Sequence, residues 1–234
     1  MTNSEVKEMS IWDHLNELRS RLFKAVIALA ITSAVSFAAA QTIIGILLEP
    51  IGGVSKVQSI EVTENISVFM KVSLLSGLVL AMPVIVYQLL MFILPGLTGT
   101  EKKWIYLAVP FASLLFLGGV LFAYVVMLPA ALSFMISFLG INTVPRPSNY
   151  ISFITNLMFW IGISFETPLL IFILAKYKVV TYKQLARQWR YAVVVIALIA
   201  AVVTPTVDPI NMSLLMVPLF LLYLLSILLA MFAR

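Results

Sequence analysis

The chain has no cysteine and a single histidine, His14, in 234 residues. Without thiols there are no disulfides, thiolate metal sites, iron–sulfur clusters or cysteine nucleophiles, and one imidazole cannot build a multi-histidine metal centre. Charge is scarce too. Asp, Glu, Lys and Arg make up 11% of the residues against 62% hydrophobic, and the mean hydropathy is +1.08. No water-soluble domain has that balance, so the solvent for most of this chain is lipid. There is no phosphate-binding loop, no nucleophile–base spacing, no metal-ligand spacing and no internal repeat, which weighs against an enzyme, a cofactor or a nucleic-acid partner. Residues 1–13 mix Glu5, Lys7, Glu8 and Asp13 with no basic stretch running into a short apolar one, so no cleavable signal is expected ahead of the first span.

What is present is a series of long apolar runs. About 20 apolar residues cross a hydrocarbon core roughly 30 Å thick. The runs are 25–48, 72–100, 104–145 with a polar tail, 150–175 interrupted by Glu166, 191–203, and 212–233 with Pro218 inside it. The expectation is an all-α polytopic membrane protein forming a single integral membrane domain over 1–234. Its six transmembrane helices fall at roughly 22–46, 67–94, 104–130, 150–176, 191–204 and 211–230, with the fifth and sixth short. Pro83, Pro110, Pro129, Pro168 and Pro218 each remove a backbone hydrogen bond within a span. Together they predict bent helices around a concave, cupped surface.

Orientation follows from the basic residues of the short loops. Lys7, Arg19, Arg21 and Lys24 precede the first run, Lys102 and Lys103 separate the second from the third, and Lys176, Lys178, Lys183, Arg187 and Arg190 separate the fourth from the fifth, with Arg234 at the end. That places 12 of 15 on one side, leaving Lys56, Lys71 and Arg146 on the other with Glu49, Glu61, Glu64 and Asp208. Both termini are therefore expected in the cytoplasm.

Three places carry candidate chemistry. Glu166 stands alone in an apolar run, where an acid costs about 2.5 to 3.5 kcal/mol at a helix centre, and a tolerated intramembrane acid is a functional-site hypothesis by default. In His14-Leu-Asn-Glu-Leu-Arg-Ser-Arg-Leu22, Leu15, Leu18 and Leu22 share a helical face, and Glu17 lies beside Arg21 at i,i+4, which a plain interfacial helix also explains. In Pro95-Gly-Leu-Thr-Gly-Thr-Glu-Lys-Lys103, Thr98 and Glu101 fit a helix capping box. Yet Glu17 and Glu101 are acids beside a strongly basic face that does not need them for solubility. Asp208, in Thr204-Pro-Thr-Val-Asp-Pro209, reads as a turn residue, and the pair Gly77 and Ala81 as an ordinary small-residue spacing.

These pieces, in order, resemble the TatC subunit family of the twin-arginine protein translocase over nearly the whole chain. The resemblance rests on His14-Leu-x-Glu17-Leu-Arg19-x-Arg21-Leu22, Glu49-Pro50, Pro83-Val-Ile-Val-Tyr-Gln88, Phe92-Ile-x-Pro95-x-Leu97, Glu101-Lys102, Phe122-Ala-Tyr124, Phe165-Glu166-x-Pro168 and Thr204-Pro205. It implies a membrane receptor that binds twin-arginine signal peptides of folded cargo. It also implies single-span TatA- and TatB-type partners, homo-oligomers in the active complex, surrounding membrane lipids, and transport driven by the proton-motive force across a bacterial cytoplasmic (inner) membrane. By resemblance, Glu17 and Glu101 contact the twin-arginine motif with Arg19, Leu22 and Phe92 around them. Glu166 with Gln88 forms an intramembrane polar or partner site, and Pro50 and Asp208 lie on the periplasmic side. Two guanidinium groups suit planar carboxylates that accept bidentate hydrogen bonds. The family's last periplasmic turn reads Thr-Pro-x-Asp, whereas Val207 is inserted here, shifting Asp208 by one position.

The rival reading is a proton-coupled secondary transporter using Glu166, which calls for a mid-membrane pocket and two related halves. A third, a structural scaffold for other membrane proteins, needs neither Glu17 nor Glu101.

Overall fold

The computed structural model describes residues 11–93, 99–137, 144–204 and 209–233. Among them there is no strand, and the chain folds as α1 (Ile11–Phe37), α2 (Ala40–Leu48), α3 (Glu64–Ile93), α4 (Gly99–Phe122), α5 (Leu128–Ser137), α6 (Pro147–Lys176), α7 (Tyr182–Arg187), α8 (Trp189–Val203) and α9 (Pro209–Phe232). Five stretches are long and apolar enough to cross a bilayer: Trp12–Phe37, Glu64–Phe92, Ala108–Ser133, Pro147–Lys176 and Met212–Phe232. Helix α8, at 15 residues, is about 22 Å long, short of a hydrocarbon core of roughly 30 Å. Of the two helices expected to be short, only α8 is; α9 runs 24 residues through Pro218.

The first expected span, 22–46, is divided. Ala38 and Ala39 leave the helical ladder through bonds to Val35 O (3.2 Å) and Ser36 O (3.1 Å), and α2 starts afresh at Ala40. No glycine or proline marks that break. Long-range bonds hold the new direction instead: the Tyr124 hydroxyl donates to Ile46 O at 2.8 Å and the Tyr150 hydroxyl to Leu47 O at 3.1 Å. Both carbonyls belong to the last turn of α2, where the ladder runs out of donors in an apolar solvent; Ile46 O has the Glu49 N–H as well as the Tyr124 hydroxyl.

Pro83, Pro110, Pro168 and Pro218 all lie inside helices, as expected. Pro129 has the clearest local effect. Residues Ala123–Met127 widen into a π-turn, with Leu128 N–H reaching Ala123 O, just before the proline that cannot donate to the ladder.

Helices α3 and α6 form the centre, with α1 on α3, α4 on both, α9 on α6 and α8 on α9. Val72, Phe116, Leu128, Ile151 and Ile154 are fully covered, whereas Trp12, Leu22, Phe23, Leu198 and Val202 point outward, as a lipid-facing rim requires. Glycine sets two of the crossings. A Cβ on Gly77 would come within 2.5 Å of the Ser33 backbone, so α1 and α3 touch main chain to main chain. A Cβ on Gly119 would meet Gly162 Cα at 2.9 Å, and one on Gly162 would meet the Phe116 ring at 2.7 Å, locking α4 against α6. Without a hydrophobic drive between helices in lipid, such close packing supplies the association. Gly77 thus matters more than its common spacing suggested.

Candidate functional sites

Helix α1 runs antiparallel to α3, and three pairs register them: His14 stacks on Phe92 (ring centroids 4.5 Å apart), Arg21 meets Gln88, and Phe37 packs edge-on against Phe69 (4.7 Å). Thr32 adds a hydroxyl 2.8 Å from Gly77 O. This register sets Glu17 one turn from Arg21, inside the α1–α3 seam. The Arg21 guanidinium donates from Nε to Glu17 Oε1 at 2.8 Å, with its Nη2 on the same oxygen, and from Nη1 to Gln88 Oε1 at 3.5 Å. The other carboxylate oxygen, Oε2 of Glu17, is buried and has no partner.

The predicted site residues therefore separate. Glu17, Phe92 and Gln88 gather on one end of the α1–α3 pair, while Gln88, grouped with Glu166 from sequence, lies instead against Arg21. Arg19 and Leu22 are exposed beside Glu17 on α1, together with Leu15 and Leu18, so the leucine face is turned away from the core. Glu101 belongs to the first turn of α4 by its backbone, but its side chain, like Thr98 of the expected capping box, lies outside the described residues, as do Asp208 and Val207. Pro50 is exposed in the 3₁₀ turn Glu49–Ile51 at the far end.

Glu166 sits apart from this cluster, one turn beyond the Gly162 contact on α6. It is 5% exposed, and its Oε1 has no hydrogen-bond partner. The acid that stood out in the sequence is thus covered by its own chain. Close by, Leu90 of α3, Phe111 and Leu115 of α4, Phe165, Leu169 and Phe172 of α6 and Leu222 of α9 line an apolar groove of about 640 Å³.

At the opposite end, sequence reasoning missed a buried polar network. Glu64, 4% exposed, accepts from Ile60 N–H and the Ser59 hydroxyl (3.0 Å each) through Oε2, and from the Ser148 hydroxyl (3.1 Å) and Arg146 (2.7 Å) through Oε1. Arg146 also reaches Glu61 at 3.0 Å. Its guanidinium is held above the ordinary range, first by the hydrogen bond to Glu61, with the charges of Glu64 and Glu61 adding to it. The one sequence signal was a lone arginine sharing a polar end with several acids.

Among the described residues no group of three His, Asp or Glu side chains could hold a metal ion. The family model "Sec-independent protein translocase protein (TatC)" matches residues 13–218. The chain belongs to the TatC family. It is 34% identical over 233 residues to the TatC of Carboxydothermus hydrogenoformans, covering 98% of this chain and 96% of that one. To the TatC of Aquifex aeolicus it is 38% identical over 232 residues, covering 96% of each. A crystal structure of the twin-arginine translocase receptor TatC superposes with a TM-score of 0.84 at 36% identity, over 94% of this chain and 99% of that one. TatC membership makes this a multi-pass membrane protein of a Sec-independent protein-transport system, and Glu17, Glu101, Glu166 and Asp208 all fall inside the matched stretch.

Proposed function

We propose that this chain is the receptor component of a twin-arginine translocase, binding twin-arginine signal peptides of folded proteins at its cytoplasmic end and organising single-span TatA- and TatB-type subunits for export driven by the proton-motive force. The observation that carries the reading is the unpartnered Oε2 of Glu17, a buried carboxylate oxygen beside exposed Leu15, Leu18 and Leu22. A guanidinium donates in a fork that an isolated carboxylate oxygen accepts well, and the neighbouring leucines offer an apolar surface to the hydrophobic part of a signal peptide. Arg21, which also donates to Gln88, holds one oxygen of the Glu17 carboxylate and leaves the other unengaged. Arg19, Phe92 and Glu101 complete the proposed site, and the related receptor structure lends it a family precedent.

The test is capture of the purified protein by a peptide bearing Arg-Arg, compared with the same peptide bearing Lys-Lys. A preference for Arg-Arg that disappears in Glu17→Ala with Glu101→Ala supports the reading; a double variant that binds like the wild type overturns it and leaves a local salt bridge and a helix cap. Orientation is tested separately. Single cysteines at Ser4, Gly99 and Lys183 should resist an impermeant thiol reagent in intact cells and one at Ser55 should react, with outside labelling of position 183 reversing the assignment.

A further inference from the structure

Lys71 lies on α3 at the end away from Glu17, and among the described residues no carboxylate pairs with it. Arg21 has Glu17 and Arg146 has Glu61 and Glu64, whereas Lys71 meets the Ser152 hydroxyl of α6, 2.5 Å from its Nζ. Helix α3 has 30 residues, so it spans about 45 Å, and centring a core of roughly 30 Å on it leaves about 7 Å beyond each face. Lys71 is seven residues in from Glu64, about 10 Å, so its Cα falls just inside the hydrocarbon boundary, from which a lysine extends its ammonium toward the head groups.

The ammonium borders a cavity of about 360 Å³ between α1, α3 and α6. The lining changes character in one direction. Counted in from the helix ends, Lys71 and Ser152 come first, Thr155 and Asn156 lie about level with Leu74 and Leu75, and Leu78 of α3 and Phe159 of α6 lie deepest, with Leu29 of α1 on the third side. A cation and hydroxyl above an apolar channel match a molecule with an anionic head and a hydrocarbon tail, set at the depth where such a molecule already resides.

We propose that this notch is a binding site for an anionic phospholipid of the leaflet at the Glu64 end, with the phosphate on the Lys71 ammonium, which Ser152 steadies as an acceptor, and an acyl chain along Leu74, Leu78 and Phe159. A partner helix carrying an acid would meet the same cation, but one helical turn with its side chains is about 10 Å across. A groove graded from polar to apolar along the membrane normal is shaped for a lipid.

The experiment is native mass spectrometry of the purified full chain titrated with phosphatidylglycerol or with phosphatidylcholine of the same acyl chains. Wild type should retain the anionic lipid preferentially. Lys71→Gln should weaken that retention roughly fivefold, the scale of one interfacial lysine, while Lys71→Arg and Lys56→Gln retain it. Equal retention of the two lipids by wild type, or undiminished phosphatidylglycerol binding by Lys71→Gln, would overturn the proposal. Should Lys71→Gln fail to fold, wild type is treated with a phosphatidylglycerol carrying a photoreactive head group: crosslinks at 71 and 152–156 support the site, and their absence there sinks it. Lys71-dependent binding of an acidic single-span peptide, with no lipid preference, would assign the notch to a protein partner instead.

Discussion

The two polar ends of the α1–α3–α6 core use their buried carboxylates in opposite ways. Glu64 has every acceptor position engaged: two hydrogen bonds on one oxygen, and a serine and an arginine on the other. Glu17 has one oxygen engaged by Arg21 and the other covered but empty. A buried polar group left unpaired is costly, so a carboxylate that the fold saturates belongs to the architecture and one left half-satisfied is held open for something else. Glu166 sides with Glu17, since it too is covered and has an oxygen without a partner.

The two acids are expected to fail differently when removed. The largest structural effect is expected for Glu64→Ala, which strands Ser148 and the Ile60 amide and leaves Arg146 with Glu61 alone. Thermal unfolding in detergent should shift down by roughly 5 °C, while the protein that stays folded binds signal peptide as before; an unchanged midpoint would remove Glu64 from the architecture. Glu17→Ala should do the reverse. Its peptide affinity should fall roughly tenfold or more, the range for losing one partner of a charge-assisted pair, with a midpoint near wild type because the lost internal contact is a single i,i+4 pair. A Glu17→Ala protein that is unstable yet binds normally would make the two ends alike.

Glu166 sharpens the comparison from within the membrane. Glu166→Gln, which retains hydrogen bonding without charge, should preserve part of export, whereas Glu166→Ala should reduce site-specific crosslinking to a single-span partner and leave peptide binding intact. Abolished export in Glu166→Gln with crosslinks unchanged would assign the carboxylate to obligatory proton release. The smallest effect is expected for Gln88→Leu. At 3.5 Å its bond to Arg21 is long, and losing it should weaken peptide binding about twofold to threefold, in line with a weak neutral acceptor. A loss as large as that of Glu17→Ala would make Gln88 a direct contact.

Much of this was legible in the residues. Apolar runs bounded by charges located the helices because lipid leaves a spanning backbone almost no choice but to satisfy itself within a helix. Glu17 and Glu166 were visible as acids where acids are not needed. The Ala38–Ala39 break was not, because the bonds that hold the new direction come from Tyr124 and Tyr150, 78 and 103 residues from the carbonyls they meet. Gly77, Gly119 and Gly162 were equally silent, since a glycine's spacing says nothing about which backbone will approach it.

By itself, then, the sequence determined the class of solvent, the order of the helices and the identity of the unusual acids, all of which depend on local composition and on the transfer cost of each side chain. Only the tertiary structure decided which of those acids are spent. Glu64 is satisfied by Ser148 and Arg146 from α6 and the chain just before it, and Glu17 is held by Arg21, which reaches across to Gln88 of α3, with one oxygen left over. Hydrogen bonds act over about 3 Å, and only packing brings residues more than 60 positions apart to that distance.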